Sequence, residues 1–175
     1  IIKKGKIGNA KAGAGEWLVI EADESDGSIV QYKPEVGLLL NVEKDHKEMD
    51  VLMEVFTEFK NNSRKFVVNQ SHPQAKQLSQ DLNHDFSLAK EIPAGYKAEN
   101  FKQTGLEIAF TVNGTDFSLN LVGRHNMENA LAAATVANQL GVDLKTCSAA
   151  LKNYEGIYRR HQVLGNKNGV WVIDD

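Results

Sequence analysis

Apolar positions along the chain fall into short blocks whose period changes from one block to the next. Val36 to Val42 (VGLLLNV) is an apolar run bounded by polar residues, the pattern of a strand buried on both faces. Trp17-Leu18-Val19-Ile20 has the same pattern and predicts an earlier strand. Each run stops at acids: EADESD (21–26) follows the first, and Glu43-Lys44-Asp45-His46 follows the second. Val51, Leu52, Val55, Phe56 and Phe59 then keep helical spacing with a polar opposite face. Phe66-Val67-Val68 predicts a short strand, and Pro73 marks the start of a weak helix over 74–82. Over 84–122 the period becomes two. Leu106, Ile108, Phe110 and Val112, a turn at Asn113-Gly114, then Phe117, Leu119 and Leu121 predict an antiparallel hairpin. Met127, Ala130, Leu131, Ala134, Ala137 and Leu140 line one face of a long helix that Gly141 ends. Asp143 caps a further helix with Leu144, Cys147 and Leu151 on its buried face. A polar loop over 155–163 precedes a closing strand.

Helices alternating with two-sided strands predict an α/β fold: a mostly parallel sheet with helices on both faces plus a small antiparallel β-meander. Composition narrows the function classes. A formal net charge of −3 with no basic block argues against nucleic acid as a partner. The apolar stretches are too short to span a bilayer, so no membrane insertion is expected. The single cysteine, Cys147, forbids an internal disulfide, fits a reducing compartment, and reads as a structural thiol on an apolar stripe. Trp171-Val172-Ile173-Asp174-Asp175 repeats the strand-then-acid pattern and breaks off, which suggests material missing at both ends.

Ligands of open α/β sheets bind beyond the carboxyl ends of the strands. On that reading Glu21 and His46 lie at adjacent strand ends, where they can hold a divalent cation beside phosphate oxygens. The alternative is that these acids cap helices or are solvated. Asn126 and Asn129, three apart at a helix start, share one face and can meet a ligand's polar edge such as a purine; the alternative makes Asn126 the N-cap. Arg159-Arg160 is either a phosphate or ribose clamp or an exposed loop pair. The glycine-rich stretch 5–16 contains neither GxxxxGK[ST] nor GxGxxG and reads as a turn.

The strings EADESD (21–26), NVEKDH (41–46), GRHNMENALAAATVA (123–137), EGIYRRHQ (155–162) and VIDD (172–175), in that order, resemble the Mur ligases of peptidoglycan synthesis. DESD favours the L-alanine-adding branch; a tripeptide-recycling branch differs there. The resemblance implies a three-domain enzyme, with 1–170 as its central ATP-binding domain without the phosphate-binding loop, and 171–175 starting the first strand of a C-terminal domain. It implies ATP and Mg2+ as cofactors, UDP-N-acetylmuramate and L-alanine as substrates, and a cytoplasmic bacterial location. Glu21 and His46 become magnesium-site residues near the γ-phosphate. His125, Asn126 and Asn129 lie at the base, and Arg160 and Asp175 contact the ribose or phosphate region. A nucleotide-binding or scaffold module without catalysis is the alternative from a different class.

Overall fold

The computed structural model describes residues 10, 13–44, 48–157, 160 and 162–174. Its elements run β1 (Val36–Leu39), α1 (Met49–Asn62), β2 (Lys65–Val68), β3 (Phe86–Ser87), β4 (Tyr96–Thr104), β5 (Glu107–Val112), β6 (Thr115–Leu119), α2 (Arg124–Gln139), α3 (Leu144–Lys152), β7 (Gln162–Lys167) and β8 (Val170–Asp174). Short 3-10 turns cover Ser28–Gln31 and Ala75–Leu78, the latter in place of the weak helix expected over 74–82.

β1 pairs with β2 in parallel, Leu39 opposite Val68. A parallel bridge from Asn69 to Phe86 links β2 to β3, and β3 pairs in parallel with β4. From β4 onward the order turns antiparallel through β5 and β6. The sheet is therefore mixed: a parallel half that continues into the expected meander.

Two-sided burial follows from the sequence of β2, where Phe66, Val67 and Val68 are all within 1% of full burial. Alternate residues point to opposite faces. Phe66 and Val68 join Leu39, Leu52, Phe56 and Phe59 under α1, while Val67 joins the cluster under α2. Leu52, Phe56 and Phe59 recur at helical spacing, and the Phe59 ring meets Phe66 edge-on at 5.7 Å. On the opposite face Met127, Ala130, Leu131 and Ala134 of α2 pack over Ile108, Phe110, Phe117 and Leu119. Phe110 and Phe117, cross-strand partners, stack at 5.4 Å. Helices thus cover both faces, α1 on one and α2 with α3 on the other. α3 begins where expected: the Asp143 carboxylate accepts from the Thr146 N–H at 3.0 Å and from its hydroxyl at 2.7 Å. These bonds hold the Asp143 carboxyl below its ordinary value.

Two expectations change. Trp17–Ile20 is not a strand: Leu18 and Val19 are 85% and 90% exposed. A strand needs a neighbour to take its N–H and C=O groups, and among the described residues β1 pairs only with β2. At the other end, residues 171–174 are the return strand of a hairpin. β7, whose sequence QVLGNK shows no alternation, precedes it, and Asn168-Gly169 turns between them at φ 54° and 81°. Trp171, Val172 and Ile173 are exposed.

One backbone crossing in the connection to β4 leaves no room for a side chain. A Cβ on Gly95 would lie 1.9 Å from the Asn83 carbonyl oxygen, a main-chain atom that cannot rotate aside. Gly95 is held there because its N–H donates to the Leu82 carbonyl at 2.7 Å and its own carbonyl accepts from Asn113 Nδ2 at 2.8 Å. Gly95→Ala is expected to cost about 3 kcal/mol, the upper part of the overpacking range. Urea denaturation measures it, and a loss below about 1 kcal/mol would show that the loop before β4 yields freely.

Candidate functional site

The parallel strands end together, and their carboxyl edge is the natural place for a ligand. Beyond β1, Val42 is buried while Asn41, Glu43 and Lys44 are exposed. Glu21 is exposed and follows Trp17–Ile20, which forms no strand, so it does not close a strand of its own, while its neighbour Ala22 packs on the cluster that holds Leu39 and Val42. His46 lies outside the described residues, as do Arg159 and Asp175. Among the described residues, no group of three His, Cys, Asp or Glu side chains is placed to hold a metal ion. Of the two candidate ligands, Glu21 offers the hard carboxylate oxygen that suits magnesium.

Beyond β2 the edge is polar, buried and fully bonded. Asp85 has no exposed surface, and it accepts from the Val68 N–H at 2.9 Å, from Gln70 Nε2 at 2.7 Å and from the Ser79 hydroxyl. Ser71 Oγ contacts Ser87 Oγ at 3.0 Å and accepts from the Leu88 N–H at 2.9 Å. Asn69 Nδ2 donates to Glu128 Oε1 on α2 at 2.7 Å. Neither Asp85 nor Asn69 stood out in the sequence. No local signal marks them: Asn69 follows Phe66-Val67-Val68, Asp85 precedes Phe86 after the polar Asn83-His84, and the partners of both come from elsewhere in the chain.

The amino end of α2 brings three candidate residues together. Gly123 is its N-cap, at φ 88° and with no side-chain cap, so Asn126 is not the N-cap. Asn126 is the third helical residue; its Nδ2 donates to the Val122 carbonyl at 2.8 Å and lies 3.0 Å from His125 Nε2. His125 and Asn129 are exposed on the same two turns. A helix start carries a partial positive charge, and the first turn of α2 holds no acid to offset it. β4 fixes this end: Gln103 Oε1 accepts from the Gly123 N–H at 3.0 Å, and the Arg124 guanidinium lies 5.2 Å from the Phe101 ring centroid. Arg160 is exposed in the segment after α3, its N–H donating to the Ile157 carbonyl at 3.2 Å.

Cys147 is buried, and burial followed by the nearby Asp143 carboxylate pushes its thiol up. A thiol held protonated is a poor nucleophile, in keeping with a packing role. No described helix is long and apolar enough to cross a membrane.

Comparison with known proteins gives this geometry a family. Residues 6–137 match the Mur ligase middle domain. The chain is 34% identical to the UDP-N-acetylmuramate–L-alanine ligase of Gloeobacter violaceus over 96% of its own length and 38% of that protein's. It is 32% identical to the enzyme of the same name from Acaryochloris marina, covering 96% of this chain and 37% of that one. The crystal structure of UDP-N-acetylmuramate-alanine ligase from Thermotoga maritima superposes with a TM-score of 0.73 at 24% identity, over 85% of this chain and 36% of that one. The chain therefore spans under two fifths of the length of these relatives. On the match over 6–137 and the shared fold, the chain belongs to the Mur ligase family.

Proposed function

We propose that this chain is the central part of a longer ATP-dependent ligase that joins L-alanine to UDP-N-acetylmuramate in peptidoglycan precursor synthesis. The observation that carries the reading is the 34% identity to a ligase of that name across 96% of the chain. In the proposed reaction the muramate carboxylate oxygen attacks the γ-phosphorus of ATP, and ADP leaves. The resulting acyl phosphate is attacked at its carbonyl carbon by the alanine nitrogen. The tetrahedral intermediate expels phosphate, the nitrogen loses its proton, and an amide remains.

The residues present fit a division of labour. Residues 1–170 form the nucleotide-handling domain and 171–175 lead into a C-terminal domain that brings the amino acid, with the β7–β8 hairpin at the join. The first turns of α2 present His125, Asn126 and Asn129 to the base, where two carboxamides supply both donors and acceptors. On the family resemblance, Arg160 and Asp175 would contact the ribose or phosphate region. Glu21 and His46 would hold Mg2+, which supplies charge neutralisation at the phosphates. Catalysis of the first step then consists largely of alignment and electrostatics. The location proposed is cytoplasmic, where ATP is available.

Phosphate release by the purified full-length protein tests the reading. Release that requires ATP, UDP-N-acetylmuramate and L-alanine together is the expected result. Turnover with a tripeptide but not with L-alanine would move the protein to the recycling branch. Absence of nucleotide consumption under all these conditions would overturn the ligase reading.

A further inference from the structure

We propose that Asn69 and Glu128 form a positioning pair that locks α2 against the carboxyl edge of the parallel strands and thereby sets the affinity for ATP. This rests on the reading that the first turns of α2 meet the nucleotide. Asn69 is 3% exposed and directly continues β2. Its N–H donates to the Leu39 carbonyl at the end of β1 at 3.2 Å, its Oδ1 accepts from the Ser71 N–H at 2.8 Å, and its backbone bridges to Phe86. β1, β3 and the turn beyond β2 therefore fix the residue on three sides. The remaining group, Nδ2, reaches Glu128 Oε1 at 2.7 Å, the short distance of a charge-assisted bond.

Where the tether lands is what matters. Glu128 lies in the chain between Asn126 and Asn129, and it is half-buried toward the sheet while His125 and Asn129 are exposed. The bond therefore sets the rotation of the helix segment that carries the candidate base contacts. A second tether, Gln103 to the Gly123 N–H, holds the start of the same helix from β4. With one attachment on the parallel half of the sheet and one on its meander, α2 can neither roll nor slide. A helix side chain ends about 5–6 Å from the axis, so a roll of about 20° moves its tip by about 2 Å. A shift of that size breaks a hydrogen bond to a ligand.

The test uses the full-length protein, with ATP affinity read by calorimetry beside KM and kcat. Asn69→Asp sets two carboxylates face to face and is expected to raise the Kd and KM for ATP about tenfold, leaving kcat and the KM for L-alanine within about twofold. Adding Glu128→Gln to Asn69→Asp reverses the donor and acceptor roles and is expected to restore ATP affinity to within about twofold. Glu128→Ala, the second variant should Asn69→Asp not fold, is expected to weaken ATP about fivefold. Unchanged ATP affinity in these variants, in a protein whose wild type binds ATP, overturns this inference alone. So does a loss that falls equally on every kinetic constant and is not recovered in the double variant. A wild type that binds no ATP overturns the functional reading and the inference with it.

Discussion

Asp85→Ala is expected to remove about 4 kcal/mol of folding stability, a large part of what holds a domain together. The residue has no exposed surface, and its two oxygens are the acceptors for a main-chain N–H on β2, the Gln70 carboxamide and the Ser79 hydroxyl. These three donors come from the end of β2, from the residues just beyond it and from the turn after Ala75–Leu78. Alanine would leave them facing a space with neither an acceptor nor easy access for water. Each buried donor left unpaired costs about 1–3 kcal/mol, and the hydroxyl can rotate to soften its share. Asp85→Asn keeps one acceptor oxygen and directs an NH2 group at a neighbour, and about 2 kcal/mol is expected. Urea midpoints at constant m-value measure both variants. A loss under about 1 kcal/mol for the alanine variant would mean that water or rearranged partners satisfy those groups, and that Asp85 does not fasten β2 to its neighbours.

The elements that could be read from the sequence are those whose burial is a local property. Leu52, Phe56 and Phe59 announce α1, Met127 to Ala134 announce α2, and the alternation around Asn113-Gly114 announces β5 and β6, because each places its apolar residues on one face at its own period. Trp17–Ile20 fails because a strand is a property of a pair, and no sequence run contains its partner. β7 fails for the complementary reason: its pairing with β8 makes it a strand although Gly165 and Asn166 interrupt any apolar alternation. The candidate site divides in the same way. That Asn126 and Asn129 share a face follows from helical periodicity alone, whereas His125 is singled out only by the family resemblance. The meeting of Asn69 with Glu128, 59 residues on, and of Asp85 with Val68, 17 residues back, depends on strand order. Nothing in either local sequence distinguishes these residues from a solvated Asn or Asp.

Glu21→Gln in the full-length ligase is expected to lower kcat for alanine-dependent phosphate release by about 10²–10³-fold, the size of effect seen when one electrostatic partner of a transition state is removed. The same change is expected to leave the melting temperature within about 1 °C, because surface substitutions rarely exceed 0.5 kcal/mol. Glu21 is exposed and belongs to no strand or helix, so its amide keeps the shape and loses only the charge. The pairing of those two results is what makes the measurement decisive. Among EADESD the acids differ in setting: Asp23 and Asp26 accept from the N–H groups of Ser25 and Ser28 at 2.8 Å, so their carboxylates shape the local turns. Asp26→Asn should therefore disturb the turn into Ser28–Gln31 with little change in turnover, whereas Glu21→Gln should do the reverse. A carboxylate that holds a cation at the phosphates also makes the Mg2+ requirement steeper when it is lost, so the half-saturating Mg2+ concentration should rise. Unchanged kcat and unchanged Mg2+ dependence in Glu21→Gln would return Glu21 to the role of a solvated surface acid, and would leave the proposed nucleotide site resting on α2, Arg160 and Asp175.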